Sequence, residues 1–140
     1  MAFDIVSLSN THPGVGSGLL GELLKPEAEA DFLARLKDLF KIPMVRHTRL
    51  RGKEVKKIAL CGGAGSFLIS RALSAGVDFF ITADLKYHEF FDANNRLVLA
   101  DIGHFESEQF TISLLQEILA EKFPTFAVQK NLRKYQPGSI

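Results

Sequence analysis

The stretch Val55-Lys-Lys-Ile-Ala-Leu-Cys-Gly-Gly-Ala-Gly-Ser-Phe67 decides the fold class. Its first seven residues turn apolar toward their carboxyl end and read as a strand. Gly62-Gly-Ala-Gly-Ser66 reads as a tight strand-to-helix turn. A helix follows over 67–75, closed by Gly76. Residues 77–83 are a buried strand with two phenylalanines, a valine and an isoleucine. The unit then repeats. A helix over 85–94, with Asp84 placed to cap it, leads to a third strand over 97–102. The longest helix is expected over 107–122, where Phe110, Ile112, Leu114, Leu115, Ile118 and Leu119 make a broad apolar face. Strand–helix–strand alternation predicts an α/β fold, a mostly parallel sheet with helices on both faces. Right-handed crossovers gather the strand carboxyl ends on one edge.

Upstream, residues 3–9 alternate as a strand, 10–17 are turn-rich, and 18–23 read as a second short strand ended by Pro26, a short amino-terminal strand pair. From Glu27 the period changes. Phe32, Leu33, Leu36, Leu39 and Phe40 share a helical face, and Pro43 stops that helix. Residues 44–50 read as a polar exposed strand, with His47 an edge histidine. After Pro124 a last strand is expected over 125–129, followed by an irregular tail from Lys130.

With 140 residues, the chain is long enough for one domain with a real core. A net charge of +1 implies no polyelectrolyte partner, so no nucleic acid is expected. The tight basic cluster Arg49, Arg51, Lys53, Lys56 and Lys57 reads as a solvated loop. The single cysteine, Cys61, excludes an internal disulfide framework and an all-cysteine zinc site. It ends an apolar run, as a buried inert thiol does. No apolar window reaches the roughly 18 residues of a membrane span, and no signal-peptide pattern opens the chain. A cytoplasmic protein with no membrane partner is the expectation.

If the strands are parallel, three loops meet at one rim, where open α/β sheets place their ligands. The first carries Gly62, Gly63, Gly65 and Ser66: a tight corner, or a cradle for substrate. It is neither GxGxxG nor a P-loop, so a dinucleotide-binding domain fails on its fingerprint. The second carries Asp84 and His88, four apart. Asp84 is an N-cap, or with His88 a proton-transfer pair or support for a metal. The third, Asp101-Ile-Gly-His104-Phe-Glu-Ser-Glu108, puts an imidazole and a carboxylate four residues apart at a helix start. These are ligand types for hydrolytic divalent metals. Alternatively Glu108 offsets the helix dipole and His104 is a satisfied loop histidine. Asp101 is placed to orient His104 or join the ligands, and Glu106 to face solvent. A hydrolytic site needs three or more protein ligands, so a metal here requires donors from outside this chain.

The motifs over 57–67, Ile81-Thr-Ala-Asp-Leu-Lys-Tyr-His88 and 101–108, with Gly16-Ser-Gly-Leu-Leu-Gly-Glu22 upstream, together resemble the carboxyl-terminal part of the Nif-three-like proteins. These are also called GTP cyclohydrolase I type 2 homologues. The resemblance implies two related α/β halves around a dinuclear site. His104 and Glu108 match the family's H-x-x-x-E metal ligands; its His-His-Pro motif is absent, the one His-Pro being His12-Pro13. It also implies an inserted CutA-like or PII-like domain in many members. Residues 1–15 are similar to the end of that insert, leaving 16–140 as the carboxyl-terminal α/β domain. Two divalent ions per full-length subunit (zinc, iron, manganese or nickel) and a hexameric homo-oligomer are implied as well.

Two functions follow as expectations. One is a metal-dependent hydrolase of cyclohydrolase or amidohydrolase type, with His104 and Glu108 as ligands, Asp84 and His88 in catalysis, and the glycine loop on a small-molecule substrate. The other is a non-catalytic metal-binding regulatory or protein-interaction module. This piece alone is expected to be inactive.

Overall fold

The apolar runs at 79–81 and 97–100 require burial on both faces, and that is how they are used. The structure, a computed structural model, describes residues 2–3 and 16–130. The chain divides into two compact units, Met1–Glu108 and Gln109–Ile140. In the first, strands β1 (Ala2–Phe3), β2 (Gly18–Ala28), β3 (Arg46–His47), β4 (Glu54–Ala64), β5 (Phe79–Ala83) and β6 (Val98–Asp101) form one sheet, ordered β1-β2-β4-β5-β6-β3. The central β4, β5 and β6 are parallel. β2 joins β4, and β3 joins β6, in antiparallel sense. The expected α/β class holds, with antiparallel strands completing both edges.

Strand alternation sends side chains to two separate cores. Phe79, Ile81, Val98 and Ala100 pack with Phe32, Leu36 and Phe40 of α1 (Glu29–Phe40). The Phe32 and Phe79 rings meet edge-on at 4.8 Å. Phe80 and Leu99 face the other way, onto Ile69 and Ala72 of α2 (Ile69–Ser74). Each buried Phe or Leu contributes about 1.5–3 kcal/mol.

At the amino end of α1, Glu29 is only 3% exposed. Its carboxylate accepts the Arg51 and Gly52 backbone N–H groups at 2.6 and 2.9 Å and the Arg51 Nε–H at 2.9 Å. Arg51 therefore lies inside, bonded also to Asp78 and the Arg96 carbonyl. The expectation of a solvated basic loop fails there, because a partnered guanidinium tolerates burial. Lys57 is likewise tied down, its ammonium donating to the Ala75 carbonyl.

Burial pushes the Asp78 carboxyl up, but the Lys57 and Lys56 backbone N–H groups and the Arg51 guanidinium outweigh it and hold the group below the usual carboxylate range. A lowered folded-state value stabilises the fold above the unfolded carboxyl's pKa of about 3.9. That contribution disappears as pH falls through the lower, folded-state value. Asp78→Asn is therefore expected to be less stable than wild type at neutral pH, with the gap closing in acid below about pH 4. Urea unfolding across that range checks it; a gap independent of pH would contradict it.

Several expected boundaries move. β2 runs through Pro26 to Ala28 because the β2–β4 ladder is irregular between Glu22 and Glu27, where a missing N–H does little harm. The glycine turn is instead the end of β4: between the pairs Leu60–Ile81 and Ala64–Ala83, three residues of β4 stand against the single Thr82 of β5, a bulge. The following segment is a 3-10 helix, Ser66–Leu68, before α2. The strand expected over 44–50 shrinks to Arg46–His47. The single helix expected over 107–122 is two: α3 (His104–Glu108), then a turn at 109–110, then α4 (Thr111–Lys122). Most of the strand expected over 3–9, the turn over 10–15 and the tail over 131–140 lie outside the described residues.

The second unit is described around α4. Ile112, Leu114, Leu115, Ile118 and Leu119 are all exposed. The expected strand over 125–129 does not form, since no strand of the described residues pairs with it. The segment turns back instead. Phe126 packs its ring against Phe123, and Gln116 Nε2 donates to the Val128 carbonyl at 3.2 Å. Among the described residues no helix is long and apolar enough to cross a membrane.

A candidate half metal centre

The floor of the rim is Gly63, in the β4 bulge. Its N–H donates to Ser107 Oγ at 2.9 Å, and its carbonyl accepts Thr82 Oγ1–H at 3.0 Å. Thr82 is fully buried in β5. Gly63 has φ 63°, and a Cβ placed on it would lie 2.7 Å from Glu108 Oε1 and 3.1 Å from His104 Nε2. A glycine thus lets the imidazole and carboxylate rest directly on the backbone.

The walls are Asp84, His104 and Glu108, all about half exposed. Asp84 follows β5 in the left-handed conformation, φ 55°. Its Oδ2 lies 2.6 Å from His104 Nδ1. A carboxylate can only accept, so Nδ1 carries the proton and Nε2 is left facing outward. His104 and Glu108 stand four apart on α3, Nε2 and Oε2 3.5 Å from each other. The hydrogen bond that His104 donates to Asp84, then the negative charges of Asp84 and Glu108, outweigh desolvation and push the imidazole above its ordinary value.

Several expectations change here. Asp84 does not cap the next helix. That helix is a 3-10 segment, Tyr87–Ala93, capped at Lys86, whose N–H donates to the Glu89 carboxylate at 2.7 Å. Asp84 precedes it, so the i, i+4 argument for Asp84 and His88 has no helix to act on. His88 is exposed beside Glu89, and among the described residues no hydrogen bond or ion pair joins it to Asp84, His104 or Glu108. Of the glycine loop, Gly63 reaches the site and Gly62 borders it, its Cβ position 3.8 Å from Glu108 Cγ. Gly65 instead packs against Thr82 and Cys61. Ser66 lies beside Glu89 and helps hold that carboxyl below its ordinary value. Among the described residues no hydrogen bond or ion pair joins Asp101 to His104: Asp101 is 5% exposed and bonds Leu85, Gly103 and Arg46. Glu106 is half-buried rather than turned to solvent. Cys61 is the buried thiol expected, its pKa raised first by burial.

Ser107, Thr82 and Arg46 were not anticipated. Ser107 also donates to the His104 carbonyl at 2.7 Å. The one available signal was Thr82, a lone hydroxyl in an otherwise apolar strand.

A divalent ion fits part of this arrangement. An imidazole nitrogen and a carboxylate face one point, with a second carboxylate behind the imidazole, the support metal-binding histidines use. Among the described residues no group of three or more His, Cys, Asp or Glu is arranged to hold an ion. The donor set is a candidate half-site.

Fold and rim together define the class: an α/β unit that presents an aspartate-backed histidine and a glutamate at the carboxyl edge of its parallel strands. Residues 2–136 match the model of one family, Duf34/NIF3 (NGG1p interacting factor 3). The chain belongs to that family. It is 32% identical over 137 residues to a Staphylococcus epidermidis protein named GTP cyclohydrolase 1 type 2 homolog, covering 92% of this chain and 37% of the relative. A Mycobacterium leprae protein of the same name is 36% identical over 131 residues, covering 89% and 33%. The crystal structure of Staphylococcus aureus protein SA1388 superposes with a TM-score of 0.71 at 27% identity, covering 86% of this chain and 42% of that one. A Bacillus cereus protein related to NIF3 gives 0.69 at 28%, covering 82% and 33%. The chain spans about a third of the length of the curated relatives it matches.

Proposed function

We propose that this chain supplies the imidazole and carboxylate of a divalent-metal centre in a metal-dependent hydrolase, of the cyclohydrolase or amidohydrolase kind. One observation carries the reading: His104 Nε2 and Glu108 Oε2 lie 3.5 Å apart while Asp84 occupies Nδ1. The name of the relatives favours the cyclohydrolase class. The remaining donors, for two ions in all, come from outside the chain, either a further segment or a neighbouring copy in a homo-oligomer. The partial length relative to its relatives supports that division.

His104 Nε2 and Glu108 would hold the ion. The chemistry such ions supply when bound is Lewis acidity, toward a water and toward the group to be cleaved. Asp84 keeps the Nδ1 proton and so keeps the Nε2 lone pair outward. Gly63 leaves the floor open, because a side chain there would fill the space beside both donors. Asp84 is thus a support for His104 rather than the partner of His88 in proton transfer.

The test is elemental analysis, under native purification, of the assembly that brings the remaining donors to this chain. Metal is expected in wild type and lost from His104→Ala with Glu108→Ala; unchanged metal content would contradict the reading. A second reading, a non-catalytic metal-binding interaction module, is favoured by the absence of a third ligand among the described residues. Screening nucleotides and cyclic amides separates the two: turnover that follows metal content supports the hydrolase.

A further inference from the structure

We infer that Asp101, braced by Arg46, is the positioning residue that holds Asp84 against His104. Asp84 and His104 stand on different loops, one after β5 and one after β6, and both side chains are half exposed. Exposed partners on separate loops do not stay 2.6 Å apart unless the loops are tied. Asp101 ties them. Its Oδ2 accepts the Leu85 N–H at 2.9 Å, from the residue after Asp84. Its Oδ1 accepts the Gly103 N–H at 3.0 Å, from the residue before His104. One buried carboxylate thus grips the chain neighbour of each member of the pair.

Arg46 completes the clamp from the edge strand. It lies opposite Asp101 in the β3–β6 register, and its guanidinium pairs with Asp101 Oδ2. The same group donates to the Leu85 carbonyl at 3.2 Å, so both polar groups of that buried residue are held. Phe90 lies under the guanidinium, ring centroid 5.6 Å away. Asp84 itself is at φ 55°, a conformation an aspartate keeps only when its surroundings impose it. A cleft of about 270 Å³ lined by Arg46, Asp84, Asp101 and Glu106 runs along the clamp, which leaves these loops space to move apart if it is cut.

This inference rests on the half-site reading for its importance, but its test does not use metal. In metal-free protein, at a pH alkaline enough to leave the His104 ring neutral, its ring ¹⁵N shifts report which nitrogen holds the proton. Wild type is expected to show the Nδ1–H form. Asp101→Asn leaves one acceptor oxygen for two N–H donors, so its NH₂ meets the N–H of either Leu85 or Gly103, one loop is released, and the histidine reverts to mainly the Nε2–H form. Arg46→Gln, at a half-exposed residue and therefore tolerated by the fold, is expected to shift the same balance to a smaller degree. It decides the matter if Asp101→Asn does not fold. Val55→Ala, in the core away from the rim, serves as the control that lowers stability without moving the tautomer. Folded Arg46→Gln and Asp101→Asn proteins that keep the wild-type Nδ1–H form would overturn the proposal. Failure to bind metal with the tautomer change intact would count against the half-site reading alone.

Discussion

Glu29→Ala is expected to cost about 3–5 kcal/mol of folding stability, because it strips a buried guanidinium of its main partner. Glu29 and the Arg51 side chain are 2% and 8% exposed as side chains, and the carboxylate accepts three hydrogen bonds from residues 51 and 52. Removing it leaves Arg51 with Asp78 at 3.4 Å and the Arg96 carbonyl. It also leaves the Arg51 and Gly52 backbone N–H groups, in the loop before β4, with no acceptor. Against the roughly 5–15 kcal/mol that stabilises a typical domain, this is a large fraction. Glu29→Gln keeps one acceptor oxygen and should lose less, about 1–3 kcal/mol. Urea denaturation followed by circular dichroism gives both numbers. A loss under about 1 kcal/mol for the alanine variant would mean that water replaces the carboxylate and that the network is not buried as described.

Gly63→Ala is expected to lower ion affinity about 10- to 100-fold, the scale on which disturbed support of a ligand acts, while costing only about 1–2 kcal/mol of stability. The stability cost comes from φ 63°, which disfavours any L side chain. The affinity loss comes from the new Cβ, which would sit 2.7 Å from Glu108 Oε1. That oxygen is the free end of a flexible side chain, so it moves away cheaply, and it moves off the proposed metal position. Gly76→Ala separates the two effects. Gly76 has φ 64° and nothing within 4 Å of its Cβ position, so it carries the backbone cost without touching the site. Equal affinities for the two variants would remove Gly63 from the site.

What the sequence discloses follows the range of the interactions. β4, β5 and β6 are legible because their apolar runs must be buried on both faces, as Phe79 and Phe80 are on opposite sides. His104 and Glu108 are legible because their relation is local, one helical turn. The partner of His104 is not. Asp84 lies 20 residues away, and it reaches His104 only through the parallel register that sets Thr82 beside Asp101. Residue spacing suggested His88 for Asp84 on the premise of an α-helix; a left-handed Asp84 and a 3-10 helix starting at Tyr87 remove that premise. Arg46 is farther still, brought to Asp101 by an edge strand of two residues that no periodicity marks. Gly62 and Gly63 read as a turn because glycine punctuates chains, yet here they extend β4 as a bulge.

The central claim is that His104 and Glu108 face one cation. Paramagnetic broadening by Mn²⁺ in ¹⁵N-labelled chain tests it most directly, since a half-site binds weakly but still localises the ion. Broadening should centre on His104, Glu108 and the backbone of Gly62 and Gly63, and should vanish in His104→Ala. Broadening centred elsewhere, or unchanged by that substitution, would contradict the account.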